Sequence, residues 1–118
     1  MFHFFLVFIG GGMGSMLRYG IAQSLTHLDF PPIATFIANA LSCILLGFLV
    51  GLSVKSNLDQ SYKLLLMTGV CGGFSTFSTF TNETFALFQN GEILYGMLNI
   101  FGSVLLCLMC IFLGIKMA

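Results

Sequence analysis

Between Gly69 and Glu83 the chain reads Gly-Val-Cys-Gly-Gly-Phe-Ser-Thr-Phe-Ser-Thr-Phe-Thr-Asn-Glu. Five hydroxyls (Ser75, Thr76, Ser78, Thr79 and Thr81) alternate with three phenylalanines (Phe74, Phe77 and Phe80), and a carboxamide and a carboxylate close the run. On a helix Phe77 and Phe80 share roughly one face, with Ser78 and Thr79 on its flanks. Taken singly, such residues are explained by packing and by hydroxyls bonding their own backbone. Their concentration beside Gly72-Gly73 points further. Two adjacent glycines favour a break in a helix. Inside a membrane, carbonyls freed by a break must face protein, a cavity or an ion.

Other polar side chains stand in apolar surroundings. Arg18, Asn39 and Glu83 are isolated, while Tyr95, Asn99, Ser103 and Cys107 recur every fourth residue and so form one stripe on a helix. Each costs free energy in lipid unless it meets a partner or water, so the stripe is either glue between helices or a polar track. Together these groups supply neutral donors, aromatic rings and one arginine. There is no ring of acids to attract cations and no lysine pair for phosphate. The edge of a phenyl ring carries the positive part of its quadrupole and can face an anion. The chemistry on offer is a narrow pathway for a small anion, whose identity these residues leave open.

The four cysteines, Cys43, Cys71, Cys107 and Cys110, lie in apolar segments. Cys107-x-x-Cys110 has the spacing of a redox or zinc motif but lacks a second ligand pair, which favours buried thiols acting as small hydrophobes. The two histidines, His3 and His27, sit near a span end and in a loop, so haem or metal redox chemistry has no visible ligands.

The elements that must position this chemistry follow from composition. Of 118 residues 58% are hydrophobic and 7% charged, where a soluble domain carries roughly a quarter charged residues. That balance excludes a water-facing globular surface, and the absence of a basic patch excludes nucleic acid as a partner. At about 20 residues per crossing the length accommodates four spans and no catalytic domain, so an enzyme is not expected. The spans are predicted at 2–23, 33–53, 63–89 and 93–115, one four-helix unit over 1–118 in contact with the lipid bilayer. Pro31-Pro32 are placed in the first loop, ahead of the second span.

Gly10-x3-Gly14, Gly47-x3-Gly51 and Gly69-x3-Gly73 have the spacing that lets membrane helices approach closely. The N-terminus lacks the basic region and cleavage site of a secretory signal, so span one is expected to stay in the mature protein. Lys55, Lys63 and Lys116 on one side, against Arg18 on the other, favour an inside N-terminus.

Over essentially its whole length the sequence resembles the Fluc (CrcB-type) fluoride channel family. The matching elements are Gly11-Gly12-x-Gly14-x3-Arg18-Tyr19, Thr35-Phe36-x2-Asn39, and Gly69-x2-Gly72-Gly73-Phe-Ser75-Thr-Phe77-Ser-Thr-Phe80 with Glu83 three residues on. The resemblance implies an all-α membrane protein of four transmembrane helices, the third broken mid-membrane, assembled as an antiparallel homodimer with two fluoride pores. It implies passive fluoride export across a cell (inner) membrane, lowering cytoplasmic fluoride and conferring fluoride resistance.

By the same carry-over Phe77 and Phe80 are pore phenylalanines supplied by both subunits. Asn39 donates an amide hydrogen bond, and Ser78, Thr79, Tyr95 and Ser103 border the pathway. Arg18 sits at the vestibule, Glu83 acts near the phenylalanines, and the backbone carbonyls of Gly72 and Ser75 bind one central Na+ per dimer. Where the family tends to carry a hydroxyl one turn beyond the Cys107 position, this chain has Ile111. Family members also commonly insert in both orientations, whereas the lysine bias here favours one.

Two other classes fit four short spans. A proton-coupled small multidrug exporter needs a membrane carboxylate in span one and usually a tryptophan-bearing chamber; neither is present. A structural subunit of a larger membrane complex would use the polar residues only as helix contacts.

Overall fold

The computed structural model describes every residue, Met1–Ala118, as helices joined by short turns, without a strand. Four helical stretches are long and apolar enough to cross a membrane: Phe2–Ser24, Pro31–Ser56, Gln60–Gln89 and Ile93–Met117. The longest extent is 48 Å, enough to pass a bilayer of ~40–45 Å including headgroups. The apolar surface is turned outward. Phe4, Phe8 and Met16 on the first helix, and Leu105, Leu108 and Phe112 on the last, are exposed. Water would penalise each of these and hydrocarbon would not, so the chain is a multi-pass membrane protein.

Helix α1 covers Phe2–Ser24 and α2 covers Pro31–Ser56. The second is longer at both ends than expected. Pro31 and Pro32 are not in the loop but in the first turn of α2, where a missing N–H is no loss and the fixed φ suits a helix. At the far end Asn57 adopts φ 56° and returns its N–H to the Ser53 carbonyl. The third stretch begins at Gln60, not 63, because Asp59 is extended and opens the helix there. Helix α3 spans 60–74 and is wound more widely, in π geometry, over Lys63–Cys71. Wider winding gives less rise per residue, which helps explain a stretch of 30 residues where ~20 suffice. Helix α4 covers Phe77–Gln89 and α5 covers Ile93–Met117. Gly91, at φ 81°, makes the turn between them, a conformation glycine adopts without steric cost.

Glycines set the packing. A Cβ on Gly10 would lie 2.2 Å from the Leu65 carbonyl oxygen, and one on Gly14 would lie 2.1 Å from that of Val70. On the facing helix a Cβ on Gly73 would meet the Gly11 oxygen at 2.3 Å. The backbones of α1 and α3 therefore touch, as the small-residue spacing predicts. Gly47 and Gly51 do the same for α2 against α5: a Cβ on Gly47 would be 2.2 Å from the Ile111 oxygen, and one on Gly51 would be 3.0 Å from that of Ile115. The Lys55 ammonium donates to the Ala118 carbonyl at 2.6 Å, tying the ends of these two helices together.

Candidate functional site

Gly72 has helical angles, φ −65° and ψ −34°. The backbone leaves the helix three residues later, with Ser75 at φ −86°, ψ 154° and Thr76 at φ −148°, ψ 129°. The departure thus falls past Gly72-Gly73, where the sequence pattern had located it. Gly73 serves close approach to α1, whereas a Cβ on Gly72 would meet nothing within 4 Å, and side chains divert the peptide. The Asn39 carboxamide grips both polar groups of Thr76: its Oδ1 accepts the Thr76 N–H at 2.9 Å and its Nδ2 donates to the Thr76 carbonyl at 3.4 Å. The Thr76 hydroxyl then accepts the Thr79 N–H at 3.3 Å, capping α4.

In an unbroken helix the Thr76 N–H would bond the Gly72 carbonyl and the Thr79 N–H the Ser75 carbonyl. Both amides have been taken by side-chain oxygens, so Gly72 and Ser75 lose their helical donors. Their neighbours are served. Arg18 Nε donates to the Gly73 carbonyl at 3.3 Å. The Cys71 carbonyl accepts the Ser75 N–H at 3.1 Å, the Ser75 hydroxyl at 2.9 Å and the Ser42 hydroxyl at 3.0 Å.

Two cavities flank this segment. The first, about 330 Å³, is lined by Asn39, Cys43, Ser75, Thr76, Phe77 and Phe80, with Ser103, Cys107 and Ile111 from α5. The Phe77 and Phe80 rings lie 5.8 Å apart at 45°, and Phe77 is 77% exposed, projecting from the surface of the chain. The second cavity, about 400 Å³, gathers Arg18, Tyr19, Asp29, Thr35, Thr79 and Glu83. It places Arg18 in one cavity with Glu83, whose Oε1 is buried without a hydrogen-bond partner.

The residues singled out from sequence divide accordingly. Phe77, Phe80, Asn39, Ser75 and Ser103 share the aromatic cavity, whereas Arg18, Thr79 and Glu83 share the second cavity. Ser78 is exposed, with its hydroxyl 3.3 Å from that of Thr76. Tyr95 stands apart in a cleft with Phe36 and Asn99, its ring edge-on to Phe30 at 6.3 Å. The α5 stripe works partly as glue. Ser103 donates to Asn99 Oδ1 at 3.4 Å, Asn99 Nδ2 donates to the Thr84 hydroxyl at 2.9 Å, and that hydroxyl donates to the Phe80 carbonyl at 2.8 Å. Two contributors were not singled out beforehand: Ser42, a hydroxyl in an apolar run, and Thr84, one residue beyond the polar run. Seven of the eleven residues lining the aromatic cavity are hydrophobic and the other four, Asn39, Ser75, Thr76 and Ser103, are neutral and polar, so an anion entering it would meet aromatic rings and a few neutral donors.

Comparison with known proteins places the chain in a family. Residues 5–115 match the family model described as CrcB-like protein, Camphor Resistance (CrcB). A relative named fluoride-specific ion channel FluC from Pyrococcus furiosus is 44% identical over 114 residues, covering 96% of this chain and 93% of the relative. A protein of the same name from Azobacteroides pseudotrichonymphae is 47% identical over 103 residues, 81% of this chain and 82% of its own. Another, from Elusimicrobium minutum, is 41% identical over 118 residues, 98% of this chain and 92% of its own. With four membrane-spanning helices and a match running nearly end to end, the chain belongs to the CrcB-like family.

Proposed function

We propose that this protein is a fluoride-selective ion channel that lets fluoride leave the cell passively across the inner membrane. The observation that carries the reading is the diverted peptide at Ser75-Thr76, which sets Phe77, Phe80 and the Asn39 amide around one cavity; relatives matching over most of their length are named fluoride-specific ion channels. Fluoride is small and strongly hydrated, so it must exchange water for donors of its own size. Nδ2 of Asn39 has two hydrogens and spends one on Thr76. The other, with the positive ring edges, is available to an anion in the cavity. Weak ligands of this kind allow an ion to enter and leave.

In this reading the third span is interrupted within the membrane, and the functional unit is an antiparallel homodimer with two pores. Phe77 projects from the protomer, as a ring shared with a second copy would. Arg18 raises the local anion concentration at the vestibule, with Thr79 and Glu83 beside it and Ser103 bordering the route, while Ser78 and Tyr95 lie outside both cavities. Na+ fits the donor set at the two-fold axis: the Gly72 and Ser75 carbonyls are neutral hard oxygens whose helical amides are engaged elsewhere, and unwound carbonyls of this kind suit sodium. Bound there, Na+ would hold the two interruptions together. Passive flow needs no coupling machinery. Fluoride enters an acid-bathed cell as the neutral acid, is trapped as the anion and leaves down its own gradient, which lowers cytoplasmic fluoride.

The test is efflux from liposomes loaded with potassium fluoride or potassium chloride, followed with ion-selective electrodes. Purified protein should release fluoride far faster than chloride. Fluoride release no faster than from protein-free liposomes would defeat the reading.

A further inference from the structure

The contacts that lock α2 against α5 fix a register with a chemical consequence. Gly47 meets Ile111 and, one turn on, Gly51 meets Ile115. Both pairs differ by 64 positions in the same direction, so the helices run parallel, in step. One turn earlier the same step sets Cys43 opposite Cys107, and another turn sets Asn39 opposite Ser103. All four residues line the aromatic cavity, as this register requires. The seam is tight: the Gly47 backbone lies against that of Ile111, so side chains one turn away face each other across little space. Both thiols are free and half-buried.

We propose that Cys43 and Cys107 form a dithiol site that captures neutral trivalent arsenicals and, when filled, closes the aromatic cavity. Arsenic(III) carrying one organic group takes two thiols. As the As–O bonds of R–As=O break, two As–S bonds form, both thiol protons leave with the oxygen as one water, and arsenic stays trivalent. No oxidant or reductant is required. Reagent and product are uncharged, so capture adds no charge that the cavity wall must desolvate. The cavity, about 330 Å³, lies at the small end of the ~300–1,000 Å³ range that accommodates small molecules. A substituent on arsenic there lies against Phe77 and Phe80. A second dithiol, Cys107 with Cys110 one turn along α5, is the competing arrangement, but Cys110 is buried and lies outside the cavity lining. Closure of the ion path rests on the channel reading above; capture by the dithiol does not.

Phenylarsine oxide added to the purified protein in liposomes tests both parts. Intact mass should show one phenylarsenic adduct per chain, removed by 2,3-dimercaptopropanol and resistant to a monothiol. Cys43→Ala and Cys107→Ala should each abolish the adduct, while Cys110→Ala and Cys71→Ala keep it; Cys43→Ser replaces the alanine variant if that one fails to fold. Fluoride efflux should fall in proportion to the adduct in the parent protein and hold at its own untreated rate in Cys43→Ala. No adduct on the parent, or an adduct that survives Cys43→Ala and is lost in Cys110→Ala, overturns the site. An adduct with undiminished efflux overturns closure and leaves the dithiol standing. Absence of fluoride efflux before any reagent is added instead overturns the channel reading.

Discussion

Replacing Asn39 with alanine removes the side chain that holds the Thr76 peptide out of the helix. The Thr76 N–H loses an acceptor at 2.9 Å and its carbonyl a donor at 3.4 Å. Leaving a half-buried N–H unpaired costs about 1–3 kcal/mol, and the longer contact, near the limit of a hydrogen bond, adds ~0.5 kcal/mol. The expected loss is therefore about 2–3 kcal/mol, on the order of 10 °C in melting temperature for a chain of this size. Ser42→Ala is the matched control, one turn along α2. It deletes a 3.0 Å donor to the Cys71 carbonyl, but Ser75 still supplies that oxygen with an N–H and a hydroxyl. Its cost should stay below about 1 kcal/mol. Thermal unfolding in detergent, read by the loss of intrinsic tyrosine fluorescence or of monodisperse protein, ranks the two variants. Equal melting of Asn39→Ala and the parent protein, or a Ser42→Ala loss as large as that of Asn39→Ala, would refute the reasoning.

Further expectations concern packing, conduction and the cation. Gly47→Ala, whose methyl would meet the Ile111 carbonyl at 2.2 Å, should cost about 1–3 kcal/mol, whereas Gly102→Ala, with nothing within 4 Å, should be neutral or stabilising by up to ~1 kcal/mol; melting curves separate them. Phe80→Ile should reduce fluoride efflux at least tenfold, a loss of about 1.4 kcal/mol in barrier terms, while the protein elutes unchanged from a sizing column. Unimpaired efflux from both Phe80→Ile and Phe77→Ile would count against the aromatic route. Thr84→Val breaks the link from Asn99 to the Phe80 carbonyl and should lower stability by ~1 kcal/mol. Exchanging Na+ for N-methylglucamine throughout purification should lower both melting temperature and fluoride flux, and identical values in the two buffers would remove sodium from the proposal.

Much of the architecture was legible because its causes are local. Apolar runs punctuated by charged turns mark the four helices, and the three small-residue spacings mark stretches of backbone that a neighbouring helix approaches closely. Pro31 and Pro32 were misplaced because a proline excluded from a helix interior is welcome in its first turn, and the sequence pattern does not say which applies. The extended residues were located three positions early for a different reason. Gly72-Gly73 is locally the weakest helical dipeptide, but the outcome is decided by Asn39, 37 residues away, which accepts the Thr76 amide. Tyr95 and Ser103 stand eight residues apart on one stripe, yet one lies in an outer cleft and the other in the aromatic cavity. Two turns along a helix the neighbours are different, and periodicity reports the face without the depth.

The extended pair Ser75-Thr76 also separates charge in a chain almost devoid of it. Where α3 stops, its last carbonyls form the negative pole of one helix dipole; where α4 begins, its first N–H groups form the positive pole of another, each worth about half an elementary charge. The two poles are a dipeptide apart and adjoin different groups, freed carbonyls on one side and the Phe77–Phe80 cavity on the other. A single interruption thus supplies attraction for a cation and for an anion at once, using peptide units alone. Ionised side chains placed there would attract ions of one sign and hold them. The peptide poles are partial charges, so they favour either sign more weakly than an ionised side chain would.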